Sequence, residues 1–153
     1  MIGGHATRTV AFGPDGMLYL AIGSSCNICV EEEPIRATIS RANPDGSDLE
    51  IIATGMRNPV GLAFQPETGL LWATVNERDN QGNEIPPDLV TIVQEDANYG
   101  WPFCHGDNQP YAPFNPDTGV VGAKFNCNAP VNNSPNNTGL TSLKPIVAPN
   151  IWY

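Results

Sequence analysis

The side chains best suited to chemistry lie near residue 5 and near residue 57. His5 precedes the first predicted strand, and an imidazole titrates near neutral pH, so His5 is a candidate general base. Arg57 and Asn58 stand before a proline where another predicted strand begins. A guanidinium at such a blade edge can bind an anionic or carbonyl oxygen. The simpler interpretation is a loop histidine and a surface cation.

A polar loop at residues 76–88 is dense in potential oxygen ligands, with carboxylates, amides and a glycine. Calcium takes about six to eight oxygens from such groups. The spacing does not match an EF-hand, so the loop is a weak candidate for a calcium site. A solvated loop without a metal is the alternative interpretation.

The four cysteines are Cys26, Cys29, Cys104 and Cys127. The first two form a C-x-x-C, which can be half of a zinc site, a thioredoxin-like redox motif or a local disulfide. The other two are not a second close pair, and no βαβ unit is predicted around the motif. A Cys26–Cys29 disulfide, as in exported proteins, is therefore the favoured interpretation.

The elements that must position these residues are short strands arranged in a repeat. Residues 11–21 (AFGPDGMLYLA) recur as residues 63–73 (AFQPETGLLWA). Each copy reads as a strand, a turn and a second strand. A period of about 50 residues is typical of a propeller blade built from four antiparallel strands.

The sequence thus predicts an all-β fold, a partial β-propeller domain that extends over residues 1–153. The first blade is predicted at 5–56 and the second at 57–102. Residues 103–153, rich in Asn, Pro and Gly, are predicted to form a long loop-rich excursion that leads to the next element. Two blades would expose large apolar faces, so we expect a chain truncated at both ends.

The charge balance excludes several classes of partner. The formal net charge is −9, which argues against nucleic acid and against an anionic membrane surface. No apolar run approaches the roughly 20 residues of a membrane span. The first residues also lack the basic and apolar regions of a signal peptide.

Several pieces coincide with one known family. They are residues 5–29, the turn at 43–46, Gly-Met-Arg-Asn at 55–58, the 76–88 loop and Tyr-Gly-Trp-Pro at 99–102. In order and spacing they resemble the soluble PQQ-dependent glucose/sorbosone dehydrogenases, most closely the sorbosone-dehydrogenase-like branch. Each piece is weak alone, but the set, which covers roughly residues 5–106, is specific.

The resemblance implies a six-bladed propeller that holds pyrroloquinoline quinone (PQQ) and calcium over its central channel. Such an enzyme oxidises a sugar hydroxyl and passes the electrons to a soluble acceptor. By the same resemblance, His5 matches the general base, Arg57 matches the arginine that contacts the quinone oxygens, and Asn58 matches a neighbouring cofactor contact. A periplasmic or secreted location is also implied.

The calcium ligands carried over from the family are backbone carbonyls, which map best onto Gly82 and Asn83, with Asp79 as a side-chain contributor. The loop departs from the Gly-Pro sequence of the glucose-oxidising branch. Some members carry Asp immediately before the catalytic histidine, where this chain has Gly4. Later blades supply the cations for the PQQ carboxylates, so we expect the isolated chain to bind PQQ poorly and to be inactive.

Two other functions remain open from the sequence. One is a calcium-dependent propeller lactonase, in which side chains of the 76–88 loop would bind a catalytic calcium. The other is a non-catalytic propeller that uses its face for binding. The Arg57–Asn58 pair favours the dehydrogenase, because a lactonase has no apparent use for it.

Overall fold

The structure is a computed structural model that describes residues 4–82, 85–105, 109–111, 114–115 and 120–121. Within these ranges all regular secondary structure is β-strand, as the sequence predicts. The described part of the chain accordingly contains no helix long and apolar enough to cross a membrane.

The first sheet contains four antiparallel strands in chain order. They are β1 (Arg8–Phe12), β2 (Leu18–Ile22), β3 (Thr38–Ala42) and β4 (Glu50–Thr54). The Pro-Asp-Gly turn between the first two closes with a 2.9 Å hydrogen bond from the Gly13 N–H to the Met17 carbonyl. Asp15 accepts the Met17 N–H at 3.1 Å, which is the local role that favours Asp in turns.

The second sheet repeats this hairpin and contains three antiparallel strands in chain order. They are β5 (Asn58–Phe64), β6 (Leu71–Asn76) and β7 (Leu89–Ile92). The turn between β5 and β6 closes with a 2.9 Å bond from the Gln65 N–H to the Leu70 carbonyl. The sequence repeat therefore corresponds to two equivalent hairpins, one in each sheet.

The last strand before the tail differs from the predicted blade boundaries. Residues 97–98, assigned above to the second blade, form β8 (Ala97–Asn98), which pairs in parallel with β4 of the first sheet. The Asp96 N–H bonds the Ile52 carbonyl at 2.8 Å, and the Tyr99 N–H bonds the Thr54 carbonyl at 2.9 Å. The segment thus crosses back to the first sheet, and the second sheet keeps three strands among the residues described.

The region predicted as a long loop contains four two-residue strands. They are β9 (Cys104–His105), β10 (Gln109–Pro110), β11 (Phe114–Asn115) and β12 (Val120–Val121). They form two small antiparallel pairs, β9 with β10 and β11 with β12. The rest of the predicted excursion, with Cys127, lies outside the described residues.

The main core lies between the two large sheets, and both contribute to it. Ala21 and Ile39 of the first sheet are fully buried, and Ala73 and Val75 of the second are 1% exposed. The Tyr19 and Phe64 rings meet edge to face across the sheets with centroids 4.9 Å apart. Two sheets that bury their faces against each other in sequence order are adjacent propeller blades, so the chain is an all-β propeller fragment.

If this shared core stabilises both sheets, Ile39→Ala should lower the free energy of unfolding by about 2–5 kcal/mol through lost burial and the cavity left behind. Val30 is 54% exposed, so Val30→Ala should change it by no more than about 0.5 kcal/mol. Urea denaturation of the whole protein measures both. Equal losses for the two variants would show that Ile39 is not in a packed core.

Candidate functional site

Arg57 lies at the centre of the site and is 2% exposed. Its guanidinium donates five hydrogen bonds, one from Nε and two from each Nη. The acceptors are Asn27, through its carbonyl at 3.0 Å and Oδ1 at 2.9 Å, Asp79 Oδ2 at 2.6 Å, and the carbonyls of Asn76 and Glu77. All five N–H groups are therefore used within the protein, and none is left over for a ligand.

Asn27, which lies between the two cysteines of the C-x-x-C, is the main partner of Arg57. Its amide also pairs reciprocally with the backbone of Asp79: Oδ1 accepts the Asp79 N–H at 2.9 Å and Nδ2 donates to the Asp79 carbonyl at 3.1 Å. Its carbonyl accepts Trp101 Nε1 at 3.3 Å. Asn27 thus connects the cysteine loop to the 76–88 loop, a role that the sequence analysis missed.

The cysteine loop is closed by a disulfide between Cys26 and Cys29, with Cα atoms 6.1 Å apart. Their sulfur atoms lie near a Glu31 carboxylate oxygen. Among the described residues, these three side chains are the one group that could hold a metal ion. The disulfide removes both thiolates as ligands, and Glu31 accepts the backbone N–H of Ser25 at 2.7 Å. This group is therefore structural.

His5 lies three residues before β1 and is held by Ser24, which is fully buried. His5 Nδ1 lies 3.2 Å from the Ser24 carbonyl oxygen and 3.0 Å from Ser24 Oγ. The carbonyl can only accept, and Oγ uses its own hydrogen to bond the Cys26 carbonyl at 2.7 Å. Nδ1 therefore carries the proton, and the lone pair of the neutral imidazole is on Nε2.

Two glycines allow His5 to occupy this position. A Cβ on Gly4 would lie 2.3 Å from the Ser25 backbone, and its φ of +71° also disfavours a side chain. The Asp found there in some relatives would not fit this backbone, and Ser24 orients the imidazole instead. A Cβ on Gly23 would lie 2.3 Å from Asn58 Oδ1 and 2.7 Å from His5 Cβ, so the bare glycine lets His5 and Asn58 lie side by side.

The electrostatic environment keeps His5 neutral. Burial lowers the pKa of His5 below its ordinary value of 6.5, and the positive charge of Arg57 lowers it further. The hydrogen bond to Ser24 and the charges of Asp79 and Glu31 oppose this shift. A neutral imidazole with a free Nε2 can accept a proton, which is the chemistry that the sequence predicted for this residue.

The predicted calcium ligands are not gathered into a site by the residues described. Asp79 forms an ion pair with Arg57 at 2.6 Å, so its carboxylate is already bound to a cation. Gly82 is exposed, and Asn83 lies outside the described residues. Asp88, at the end of the loop, accepts the Glu77 backbone N–H at 2.8 Å. The carboxylates of Asp79 and Asp88 are therefore bonded to other groups of the protein.

A second cluster of ionisable groups lies beside Arg57 and was not predicted. Glu77 is 5% exposed, and its carboxylate accepts a hydrogen bond from the Tyr111 hydroxyl. Burial raises the pKa of Glu77 to about 7, although Tyr111 and Arg57 oppose the shift. Arg78 lies over the Tyr111 ring, 5.9 Å from its centroid, and His105 lies 4.7 Å from that ring.

Comparisons of sequence identify a family and individual proteins to which the chain is similar. A family model described as Glucose / Sorbosone dehydrogenase matches residues 2–124. The chain is 30% identical over 117 residues to the aldose sugar dehydrogenase YliI of Escherichia coli K12, covering 67% of this chain and 30% of that protein. It is 33% identical over 93 residues to an uncharacterized protein of Borreliella burgdorferi, covering 60% and 24%.

The chain spans between 24% and 33% of the length of the curated relatives that it matches. Among solved structures, a calcium structure of a Trichoderma reesei protein of carbohydrate-active enzyme family AA12 superposes with a TM-score of 0.61. That match is 19% identical and covers 69% of this chain and 33% of the other. At this identity the likeness supports the fold alone.

The Asn27 bridge can be tested by two substitutions. Asn27→Ala removes the side-chain acceptor shared by Arg57 and the Asp79 N–H, and should lower the free energy of unfolding by about 1–3 kcal/mol. Asn27→Asp keeps the acceptor oxygen and should lose less. Gln81, whose amide bonds only the adjacent Asn80 carbonyl among the residues described, provides a control as Gln81→Ala. If urea unfolding shows that Asn27→Ala is as stable as this control, the bridging role of Asn27 is contradicted.

Proposed function

Because the chain belongs to the glucose/sorbosone dehydrogenase family, we propose that the whole protein is a PQQ- and calcium-dependent dehydrogenase that oxidises a sugar hydroxyl of the aldose or sorbosone type. The electrons pass to a soluble acceptor. One curated relative is an aldose sugar dehydrogenase, and residues 2–124, which match the family, include His5, Ser24, Arg57 and Asn58.

One observation carries the proposal: Ser24 holds Nδ1 of His5 through its carbonyl and its hydroxyl, while no described residue bonds Nε2. An imidazole in this state is prepared to accept a hydroxyl proton. A histidine that served only as a loop residue would not need its tautomer fixed from two sides, by a buried carbonyl and a buried hydroxyl.

In the proposed reaction, Nε2 of His5 takes the proton of the sugar hydroxyl, and Nδ1–H remains on Ser24. When bound, PQQ supplies the two-electron acceptor for the hydride that leaves the same carbon. Ser24 accepts from the Nδ1–H of the imidazolium that forms, so the ring keeps its orientation through the transfer. Asn58, beside His5 across Gly23, presents an amide for orienting the bound molecules.

The described residues fit a bound cofactor in part. Because Gly23 has no side chain, the Asn58 amide lies next to His5, where it could contact a bound cofactor. Arg57, by contrast, has all its N–H groups bonded inside the protein. We therefore assign Arg57 a positioning role: it holds the cysteine loop and the 76–88 loop against the strand that carries Asn58.

Calcium remains part of the proposal through the family, and no step is assigned to it. Asp79 is committed to Arg57, so the described side chains of the 76–88 loop offer no converging set of carboxylates. The same fact weakens the lactonase alternative, which needs side-chain ligands from this loop. Ligands for calcium would have to be backbone carbonyls, as in the family.

The proposed function is tested with the whole protein, assayed by dye reduction with aldoses after removal of metal and cofactor. We expect turnover only when PQQ and calcium are both added back, since the first accepts the hydride and the second belongs to the family's cofactor site. Magnesium at the same concentration is the matched control for calcium. A folded whole protein that shows no PQQ-dependent oxidation of any sugar would refute the dehydrogenase.

The assignment of His5 and Ser24 predicts a graded loss of rate. His5→Gln should lower kcat by about 10²–10⁴-fold, because glutamine cannot accept the proton. Ser24→Ala should lower kcat by roughly 10-fold with little change in KM, since Nδ1 loses one of its two acceptors and the ring is held less firmly. Ser47→Ala, in an exposed turn, should leave kcat unchanged.

The same assignment fixes the sign of the pH dependence. The pKa of His5 is lowered, so the base is neutral and active at and above pH 7, and kcat/KM should fall only as the pH drops below 6.5. Steady-state rates at several pH values measure this. A rate that rises as the pH falls below 6.5, or a Ser24→Ala variant indistinguishable from Ser47→Ala, would contradict the assignment.

A further inference from the structure

One arginine beside the site has no carboxylate partner among the residues that the structure describes. Arg36, Arg41 and Arg57 each form an ion pair with a carboxylate, at distances of 3.7 Å or less. Arg8 is exposed to water. Arg78 is half-buried, and within the described part of the chain it has no carboxylate within ion-pair distance.

The guanidinium of Arg78 also has unused donors. Its Nε and Nη1 are shielded from water and have no hydrogen-bond partner among the residues described. Burial lowers the pKa of Arg78; Tyr111 opposes this shift, and the like charge of Arg57 adds to it. Buried donors are almost always satisfied in proteins, so these two nitrogens need an acceptor that the described residues do not supply.

The acidic residues on either side of Arg78 are already occupied. Glu77 accepts the Tyr111 hydroxyl, and Asp79 pairs with Arg57. The Tyr111 ring lies under the guanidinium, and the His105 ring lies against Tyr111. Arg78 is therefore a cation on an aromatic surface, next to residues whose negative charge is used elsewhere.

We propose that Arg78 is the binding residue for a carboxylate of the ligand and, resting on the proposed function, that this carboxylate belongs to PQQ. A guanidinium binds a carboxylate with charge-assisted hydrogen bonds, which satisfy the free donors and the unpaired charge together. This contact requires the Arg78 side chain to move, because Nε and Nη1 are shielded from water in the structure. Within the site, Arg78 thus performs the anion contact for which Arg57 has no donor left.

The test uses the whole protein without cofactor and measures PQQ binding by quenching of tryptophan fluorescence. Arg78→Gln should weaken PQQ binding by about tenfold or more, the size of one charge-assisted hydrogen bond. Arg41→Gln, which removes the same charge at an exposed ion pair of the first sheet, should change the affinity by less than about twofold. Unchanged affinity in Arg78→Gln would overturn the proposal.

The melting temperature of the cofactor-free protein separates binding from folding. Arg78→Gln removes a buried charge without a partner, so its cofactor-free form should melt at the same temperature as the parent or higher. A functional arginine thus predicts weaker binding without lower stability. Weaker binding together with a lower melting temperature would show that Arg78 supports the fold, and the proposal would fail.

The trimethyl ester of PQQ distinguishes carboxylate contact from contact with the quinone oxygens. The parent and Arg78→Gln should bind the ester equally, and a persistent tenfold difference would refute the carboxylate contact. If the parent binds no PQQ, the proposed function fails. Binding of benzoate then tests whether Arg78 forms a carboxylate site. A rise in melting temperature with benzoate in the parent but not in Arg78→Gln would support the carboxylate site, and no rise would refute it.

Discussion

The rest of the site depends on the burial of one charge, the guanidinium of Arg57. Taking such an ion out of water costs several kcal/mol unless its hydrogen bonds are all replaced, and breaking a buried pair costs about 3–5 kcal/mol. The replacements come from Asn27, from the carbonyls at the end of β6 and from Asp79. The fold can satisfy this charge only by bringing the cysteine loop and the 76–88 loop to residue 57.

The backbone of the same residue transmits this constraint to the candidate base. The Arg57 carbonyl accepts the Ser24 N–H at 2.7 Å, and Ser24 in turn holds both the backbone N–H and the Nδ1 of His5. His5, Ser24 and Arg57 therefore form one connected network across two sheets. A substitution that releases the guanidinium would also disturb the imidazole, which is why Arg57 variants alone cannot separate chemistry from positioning.

The parts of the structure that could be predicted from sequence are those set by neighbouring residues. The repeat, with its turns Pro-Asp-Gly at 14–16 and Pro-Glu-Thr-Gly at 66–69, predicted both hairpins, and the fold class is confirmed by the structure. Partners distant in sequence could not be predicted: Tyr111 bonds Glu77 across 34 residues, and Trp101 bonds Asn27 across 74. The pairing of β8 with the first sheet could not be predicted for the same reason, since two residues carry no local signal of a parallel partner strand.

Among the described residues Arg78 has no carboxylate partner, and a shortage of acidic residues does not explain this. The chain has 16 Asp and Glu residues and 7 Lys and Arg residues, so carboxylates outnumber the cations that they could pair with. Instead, both flanking carboxylates are bound to other groups, and Arg57, a second cation, lies close enough to act on the pKa of Arg78. A fold selected for stability alone would pair or replace such a residue. An uncompensated cation in an acidic chain is more simply understood as a place kept open for an anionic oxygen.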